Sequence, residues 1–428
     1  MSQRYAGYAL VVIFAANFLS YLDRQIVGAL EIEMSRAHGL SQKEFGIVGS
    51  AFTVGYMVFA PVIGFLAGRF RRPRVFALCV LVWSLATIGS GYAPTKGLLY
   101  LMRFFIGVGE AGCLVIGPTL ISEYFPREVR GKALSVFFLG LPVGGTAGYI
   151  VGGLLARWVG WRQAFFFAGV PGFLVSALLG TLVDPGKREG DRVAGERVGD
   201  RPVAGPARGL RIYLPLLKNR TLLLVILSQA FAVMFLQPLL LFGVGFFERE
   251  RGFNKTQATV TLGLLALVAG LLGNMLSGVV GDRLARRMRG AYALLAGFGF
   301  SFGLPWLLLG FSTRVRFLAI PALGLGALCY FLCMPAVNTQ IANVVTAPQR
   351  AMAYGLAVFI LHLLGDTAAP PVFGAVADSI GNKQKAFVLF SFTLLLAAAC
   401  SFLAARTAAR DETREPARGP GVAGPGAH

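Results

Sequence analysis

The sequence predicts an all-α membrane protein, with twelve transmembrane helices in two six-helix bundles, and three observations predict it. Hydrophobic residues make up 56% of the 428 positions and charged residues only 14%, where soluble domains carry about 25% charged residues, and the mean hydropathy is +0.67. The apolar residues gather into runs, each close to the roughly 20 residues that cross a hydrocarbon core. One long hydrophilic interval, 184–219, divides those runs six and six.

In chain order the expected spans are 7–32, 44–67, 74–92, 98–123, 132–156 and 162–183, then 221–246, 257–281, 290–311, 317–344, 351–377 and 386–405. The first run resembles a signal peptide only superficially, because Asp23-Arg24 interrupts it and no small-residue cleavage site follows a short apolar core. It is read as span one. The expected units are a first bundle at 1–183, a linker at 184–219 rich in Gly, Pro, Arg and acids, a second bundle at 220–405 and a disordered tail at 406–428.

Lysine and arginine orient the chain, since cytoplasmic loops hold an excess of them. An even number of spans puts both termini on one side, and that side carries 26 of the 40 basic residues against 12 on the other. Both termini are therefore expected in the cytoplasm, with the protein in the plasma (inner) membrane. The net charge of +20 follows mostly from this bias and does not imply nucleic-acid binding. Two basic residues remain unplaced by the loops and ends, Arg24 and Arg103.

The cost of an intramembrane charge, about 2.5–3.5 kcal/mol at the bilayer centre on insertion scales, makes such residues line cavities and pair. Asp23 lies about 24 Å up span one at ~1.5 Å per residue. Arg103 lies about 8 Å below the outer start of span four, at similar depth and with opposite charge. Glu110 follows Arg103 two helical turns later on the same face, within reach of the long Arg24 side chain. The expected network is Asp23 with Arg103 and Arg24 with Glu110, with exchange of partners left open. Such a network is either a permanent brace between spans one and four or a proton site. Burial disfavours the charged carboxylate and the arginines favour it, so a proton can be bound and released there. Glu110 is the first choice as proton site and Asp23 the second.

On span eleven, His362 and Asp366 are i,i+4 neighbours, read either as packed polar residues or as a coupling pair. Asn338, Gln340 and Asn343 on span ten and Gln237 on span seven either line the second half of a cavity or bond helix to helix. Gly140, Pro142, Gly144, Gly145 and Gly148 on span five permit close packing and bending.

Other patterns point away from enzymes. Gly107-Val-Gly109-Glu110-Ala-Gly112 fits a dinucleotide fingerprint, but no strand precedes it and a Glu would face the pyrophosphate. Gly299-Phe-Ser301-Phe-Gly303 fits a nucleophile elbow but lies inside an apolar span. No Walker A loop is present in the sequence. The five cysteines all fall within spans, and no disulfide frame, metal site or cofactor is implied.

The halves repeat each other. Gly64-Phe-Leu-Ala-Gly68-Arg69-Phe-Arg71-Arg72 matches Gly278-Val-Val-Gly-Asp282-Arg283-Leu-Ala-Arg286-Arg287 at an offset of 214 residues, and Gly153-Leu-Leu-Ala-Arg-Trp-Val-Gly160 matches Gly374-Ala-Val-Ala-Asp-Ser-Ile-Gly381 at 221. Parallel six-helix repeats of this kind resemble the major facilitator superfamily. That resemblance implies that the basic loop after the second helix of each half (Gly64, Arg69, Asp282, Arg283) is a cytoplasmic latch. The family pattern places Asp where this chain has Gly68, so the latch is expected to lean on the second half.

Within that superfamily the first half resembles the spinster family. The stretches that carry this are Asn17-Phe-Leu-Ser-Tyr21-Leu-Asp23-Arg24, Gly49-Ser-Ala-Phe-Thr-Val-Gly-Tyr56 with Ala60-Pro61, and Arg103-Phe-Phe-Ile-Gly-Val-Gly109-Glu110. Pro118-Thr119-Leu-Ile121-Ser122, Pro142-Val-Gly144 and Gly160-Trp161-Arg162 continue it. It covers residues 17 to 185; the second half matches only at superfamily level. The resemblance implies a monomeric, proton-coupled carrier of a lysophospholipid or related amphipathic anionic lipid. Asp23, Arg24, Arg103 and Glu110 would form its site. The Tyr-x-Asp-Arg and Arg103-to-Glu110 stretches also resemble anion:cation symporters of sugar acids and other carboxylates.

Overall fold

The computed structural model describes residues 3–185, 214–346 and 349–411. The greater part of the expected linker and tail, 186–213 and 412–428, lies outside the described residues. Among the described residues, twelve helices are long and apolar enough to cross a membrane. They are α1 Gln3–Ala29, α2 Gln42–Arg69, α3 Arg72–Tyr92, α4 Lys96–Tyr124, α5 Glu128–Trp158 and α6 Trp161–Thr181 in the first half. The second half contains α7 Arg220–Arg251, α8 Lys255–Ala285, α9 Ala291–Ser312, α10 Arg316–Asn343, α11 Met352–Ile380 and α12 Lys383–Ala408.

Local sequence sets many of the boundaries. The second helix of each half starts in a capping box, Ser41 with Glu44 for α2 and Asn254 with Gln257 for α8, so two orphan N–H groups are satisfied at each start. Thr95, Asn219 and Asn382 cap α4, α7 and α12 in the simpler way. The expected end of span one, residue 32, is corrected: α1 stops at Ala29, and Glu31–His38 forms a separate short helix ending at Gly39. Its charges, Glu31, Glu33 and Arg36, are too many for a continued span.

The repeat seen in the sequence is a repeat of packing. In the first half α1 packs on α5, α2 on α4, and α3 on α4 and α6; in the second, α7 packs on α11, α8 on α10, and α9 on α10 and α12. Small residues let these backbones approach. A Cβ on Gly144 or Gly148 of α5 would run into the α1 carbonyls of Phe18 or Leu22. Gly107 lies against the α2 backbone at Phe52, and Gly109 against α3 at Cys79 and Trp83. The apparent dinucleotide fingerprint is therefore a helix-packing surface.

The halves meet through α2 on α11, α5 on α8 and α1 on α7. These contacts are tightest on the face opposite the basic loops. There Asp378 at the end of α11 accepts from the backbone N–H groups of Gln42 (3.0 Å) and Lys43 (2.9 Å) at the start of α2. Lys255 pairs with Glu33 at 2.7 Å, and Lys383 pairs with Glu31, both residues of the latter pair being buried. Gly374 of α11 abuts the Gln42 backbone, and its repeat partner Gly153 of α5 abuts Thr259 of α8. The glycine of the second sequence repeat thus serves the same purpose twice: it lets the second helix of the other half come close.

Candidate functional site

Arg24 and Asp23 are neighbours on α1, so their side chains leave the helix about 100° apart and reach different surroundings. Arg24 crosses to α4, where its Nε donates to Glu110 Oε2 at 2.7 Å. Ser20 Oγ, one turn earlier on α1, donates to the same oxygen at 2.8 Å. The guanidinium lies among three rings, 4.9 Å from the centroid of Tyr21, 4.8 Å from Phe52 and 5.2 Å from Tyr56. These contacts favour the cation while keeping water from most of it. Glu110 is fully buried, Arg24 remains 22% exposed, and Glu110 Oε1 has no hydrogen-bond partner. The pair expected from the sequence is formed.

The other expected pair is not. Asp23 Oδ2 accepts from Thr87 Oγ1 of α3 at 3.1 Å, while Oδ1 has no partner. Arg103 sits over the Phe52 ring at 5.3 Å and directs its Nε to the Val48 carbonyl of α2 at 3.5 Å, leaving Nη1 without a partner. Both residues are buried. They share a depth, as the spacing predicts, but Asp23 turns to α3 and Arg103 to α2. Depth along a helix is readable from sequence; azimuth relative to another helix is not.

In the second half His362 Nδ1 and Asp366 Oδ2 are hydrogen-bonded, and Gln237 Nε2 of α7 donates to Asp366 Oδ1. The His362–Ala368 stretch is a π-helical segment within α11, an irregularity frequent at functional sites. The ring of His362 lies 5.7 Å from that of Tyr56 in the first half. Tyr56 therefore touches both charge groups, Arg24 on one side and His362 on the other. Of the polar residues expected on α7 and α10, Gln237 lines the cavity. Asn338 instead accepts from Gln229 at 3.1 Å, a helix-to-helix bond, and Gln340 is buried.

Between the halves lies a cavity of about 750 Å³. Arg24, Arg103, Tyr56, His362 and Asp366 line one side of it; α5, α7, α8 and α10 contribute a mostly apolar remainder that includes Phe138, Leu139, Leu240 and Phe331. A pocket of this character offers an anion two basic groups and offers a hydrocarbon the rest.

The residues of the expected latch lie at the basic face. Arg69 and Arg283 are exposed, a Cβ on Gly64 would come within 3.8 Å of Val115, and Asp282 accepts from Tyr292 OH at 2.6 Å within its own half. In the first half Arg72 holds both Glu123 oxygens at 2.6 Å and Asp184 at 2.5 Å. Sequence reasoning missed this triad, and it missed Ser20, Phe52, Tyr56 and Thr87 as partners of the charges. Phe52 and Tyr56 did carry a signal, being aromatic at i,i+4 on the span that faces Arg24.

Comparisons with known proteins agree with this architecture. The Major Facilitator Superfamily profile matches residues 13–370. The chain is 26% identical to protein spinster of Drosophila melanogaster over 384 residues, 87% of this chain and 62% of that protein. It is 27% identical to protein spinster homolog 1 of Homo sapiens over 418 residues, 92% of this chain and 78% of that one. With the sphingosine-1-phosphate transporter SPNS2 of Mus musculus it shares 28% over 411 residues, 90% of this chain and 72% of that one. The chain thus spans just under two thirds of the Drosophila protein's length. Among solved structures, a bacterial homolog of the human lysosomal transporter spinster, described as inward-facing and occupied, superposes with a TM-score of 0.85 at 23% identity, over 97% of this chain and all of that one. A D-xylose-proton symporter follows at 0.73 and 16%, over 96% and 98% of the two chains. With its two parallel six-helix halves, its inter-half cavity and this profile match, the chain belongs to the Major Facilitator Superfamily of transporters and is related to the spinster proteins.

Proposed function

We propose that the chain is a monomeric, proton-coupled carrier that moves a lysophospholipid or related anionic amphiphile by alternating access. The observation that carries this reading is the two-sided cavity, with Arg24 and Arg103 beside buried carboxylates on one side and apolar helix faces on the other. The basic face is read as cytoplasmic, with both termini on that side of a plasma (inner) membrane, and the excess of lysine and arginine there supports the reading. The tight contacts on the opposite face then close the cavity to the exterior, so the halves are arranged for inward access.

Coupling follows from the Arg24–Glu110 pair. While Glu110 is charged it holds Arg24 through a charge-assisted hydrogen bond. A proton on Glu110 weakens that bond and leaves Arg24, already partly exposed to the cavity, free to meet a phosphate or carboxylate of the substrate. Protonation of Glu110 and anion binding therefore favour one another. Asp23, buried with one free oxygen beside Thr87, is the second proton site. His362 and Asp366 bring the second half into the same network through Tyr56.

The test is uptake into liposomes of a panel of labelled lysolipids and organic acids, with and without a pH gradient. Gradient-dependent lysolipid uptake that Glu110→Gln uncouples is the expected result. Uptake of organic acids alone would favour a carboxylate symporter instead, and normal coupling in both Glu110→Gln and Asp23→Asn would refute the proton sites.

A further inference from the structure

The fifth helix of each half is interrupted, and at the same place in the repeat. In α5 the break lies at Leu139, between Arg127–Phe138 and Gly140–Trp158, and Pro142 offers no N–H to the Phe138 carbonyl one turn back. The repeat offset of 221 residues carries 139–142 onto 360–363, where the π-helical segment His362–Ala368 of α11 begins. The same offset carries Gly144 onto Gly365, and each glycine lies against the first helix of its own half, at Phe18 of α1 and at Val233 of α7. The register is thus kept in packing as well as in sequence.

Each interruption is held by a side-chain amide from that first helix. Asn17 of α1, fully buried, donates from Nδ2 to the Phe137 carbonyl at 2.7 Å. A carbonyl only accepts, which fixes the orientation of the amide. A Cβ on Gly140 would run into that nitrogen, so the glycine beside the break is what admits Asn17. In the second half Gln237 of α7, 220 residues after Asn17, donates from Nε2 to Asp366 Oδ1 inside the π-helical segment.

The interruptions also divide what each helix packs against. Gly140–Trp158 packs on α8 and Ala369–Ile380 on α2, both of the other half; Arg127–Phe138 packs on α1 and α4, and Arg350–Leu361 on α7 and α10, all of their own half. Asn17 has a further bond. Cys113 Sγ of α4 donates to its Oδ1 at 3.3 Å, one turn from the place where Ser20 Oγ of α1 donates to Glu110 Oε2. The buried carboxylate and the amide that holds α5 are therefore adjacent rungs of one ladder between α1 and α4.

We infer that Asn17 and Gln237 are positioning residues at paired hinges, holding the interrupted points of α5 and α11 about which the basic-face ends of these helices bend to change access to the cavity. Proline and π-helical irregularities are where helices bend, and a few such positions absorb the motion of a gate. Asn17 also relays the state of Glu110: a proton there weakens the Ser20 rung, and the next rung carries the change to α5. The relay rests on the proton-coupled reading above; the hinges do not.

The test measures distances inside one half, which rigid rocking leaves fixed. Spin labels replace the exposed residues Lys132 of α5 and Arg74 of α3, and in a second pair Gly355 of α11 and Arg287, in the full chain lacking the partly exposed Cys329 and Cys400. Lys132 is about 10 Å from Leu139 at ~1.5 Å per residue, so a bend of about 20° moves it about 4 Å, within reach of pulsed dipolar spectroscopy. Both distances are expected to shift when lysolipid is added, and the α5 distance also between neutral and acidic pH. Asn17→Leu is expected to broaden the α5 distribution, abolish its pH response and slow gradient-driven uptake about tenfold while equilibrium binding stays within a few-fold; Gln237→Leu is expected to broaden the α11 distribution. Cys113→Ala keeps the bond to Phe137 and removes the rung, so its α5 distribution is expected to stay narrow but to ignore pH, and this variant decides where Asn17→Leu does not fold. Distances fixed under every condition overturn the hinges, as do leucine variants with unaltered distributions, and a pH response retained in Cys113→Ala overturns the relay. If the α5 distance follows lysolipid and Asn17→Leu but neither pH nor Glu110→Gln, the hinge stands and it is the proton reading that fails.

Discussion

Tyr56 of α2 and His362 of α11 face each other across the two halves with ring centroids 5.7 Å apart, and the other side of the Tyr56 ring region belongs to Arg24, 5.2 Å away. One aromatic side chain thereby connects the charge cluster of the first half to that of the second. Under the alternating-access mechanism proposed above, a rocking motion separates α2 from α11 or slides one past the other, so this contact is expected in one state only.

The first prediction concerns that ring. Tyr56→Phe keeps the π-face and should leave substrate affinity within a few-fold, whereas Tyr56→Leu removes contacts to both Arg24 and His362 and should weaken binding by about 1–2 kcal/mol, or roughly 5–30-fold. Equilibrium binding of a labelled lysolipid to purified protein measures both. Equal losses in the two variants would mean that the hydroxyl, rather than the ring, matters.

A second prediction separates charge from shape at Glu110. Substrate binding should tighten as pH falls in the unaltered protein, because a proton on Glu110 releases Arg24, and this dependence should vanish in Glu110→Gln. Glu110→Ala strands the Arg24 cation and should cost up to about 3 kcal/mol, the low end for a broken buried pair because Arg24 is partly exposed. Thermal unfolding in detergent reads the stability; binding isotherms at several pH values read the coupling.

The closed face supplies a third. Lys383 and Glu31 are buried partners from opposite halves. Removing one charge alone, as in Glu31→Gln, leaves the other buried without its counter-ion and should disfavour this closed arrangement by about 3 kcal/mol or more. A cysteine placed beside the cavity should then react with an impermeant thiol reagent from that face much faster. The paired replacement Glu31→Leu with Lys383→Met should restore protection, because it leaves no unpaired charge. Protection unchanged in the single variant would show that the ion pair does not hold the face shut.

The fourth uses the repeated glycine. A side chain on Gly374 meets the Gln42 backbone, which cannot move without shifting the start of α2, and one on Gly153 meets Thr259. Gly374→Val and Gly153→Val should both hinder closure of this face and slow transport at least tenfold while leaving each half folded. Transport assays paired with the same thiol-accessibility measurement check this, and normal turnover in both variants would count against it.

Much of this molecule was legible in its sequence. Twelve spans, their order and their division into two related halves follow from hydropathy and repetition, because a bilayer imposes length and polarity on every segment separately. The Arg24–Glu110 and His362–Asp366 pairs were legible too. The first joins residues whose depths are fixed by position in two spans, and the second is a one-turn neighbour pair. Asp23 and Arg103 show where such reasoning stops. Their depths agree, but each side chain turns to a different helix, and the rotation of one helix against another is decided by contacts such as Gly107 on the Phe52 backbone and Gly144 on Phe18.

By itself, then, the sequence determined what has a one-dimensional cause: which segments cross the membrane, which ends are basic, which charges are out of place within apolar runs, and that the chain is built twice. Only the tertiary structure decided that Asp23 and Arg103 turn to different helices and that Phe52, Tyr21 and Tyr56 surround Arg24. These depend on the azimuth of packed helices and on the approach of residues hundreds of positions apart, and neither quantity is written in the periodicity of any single span.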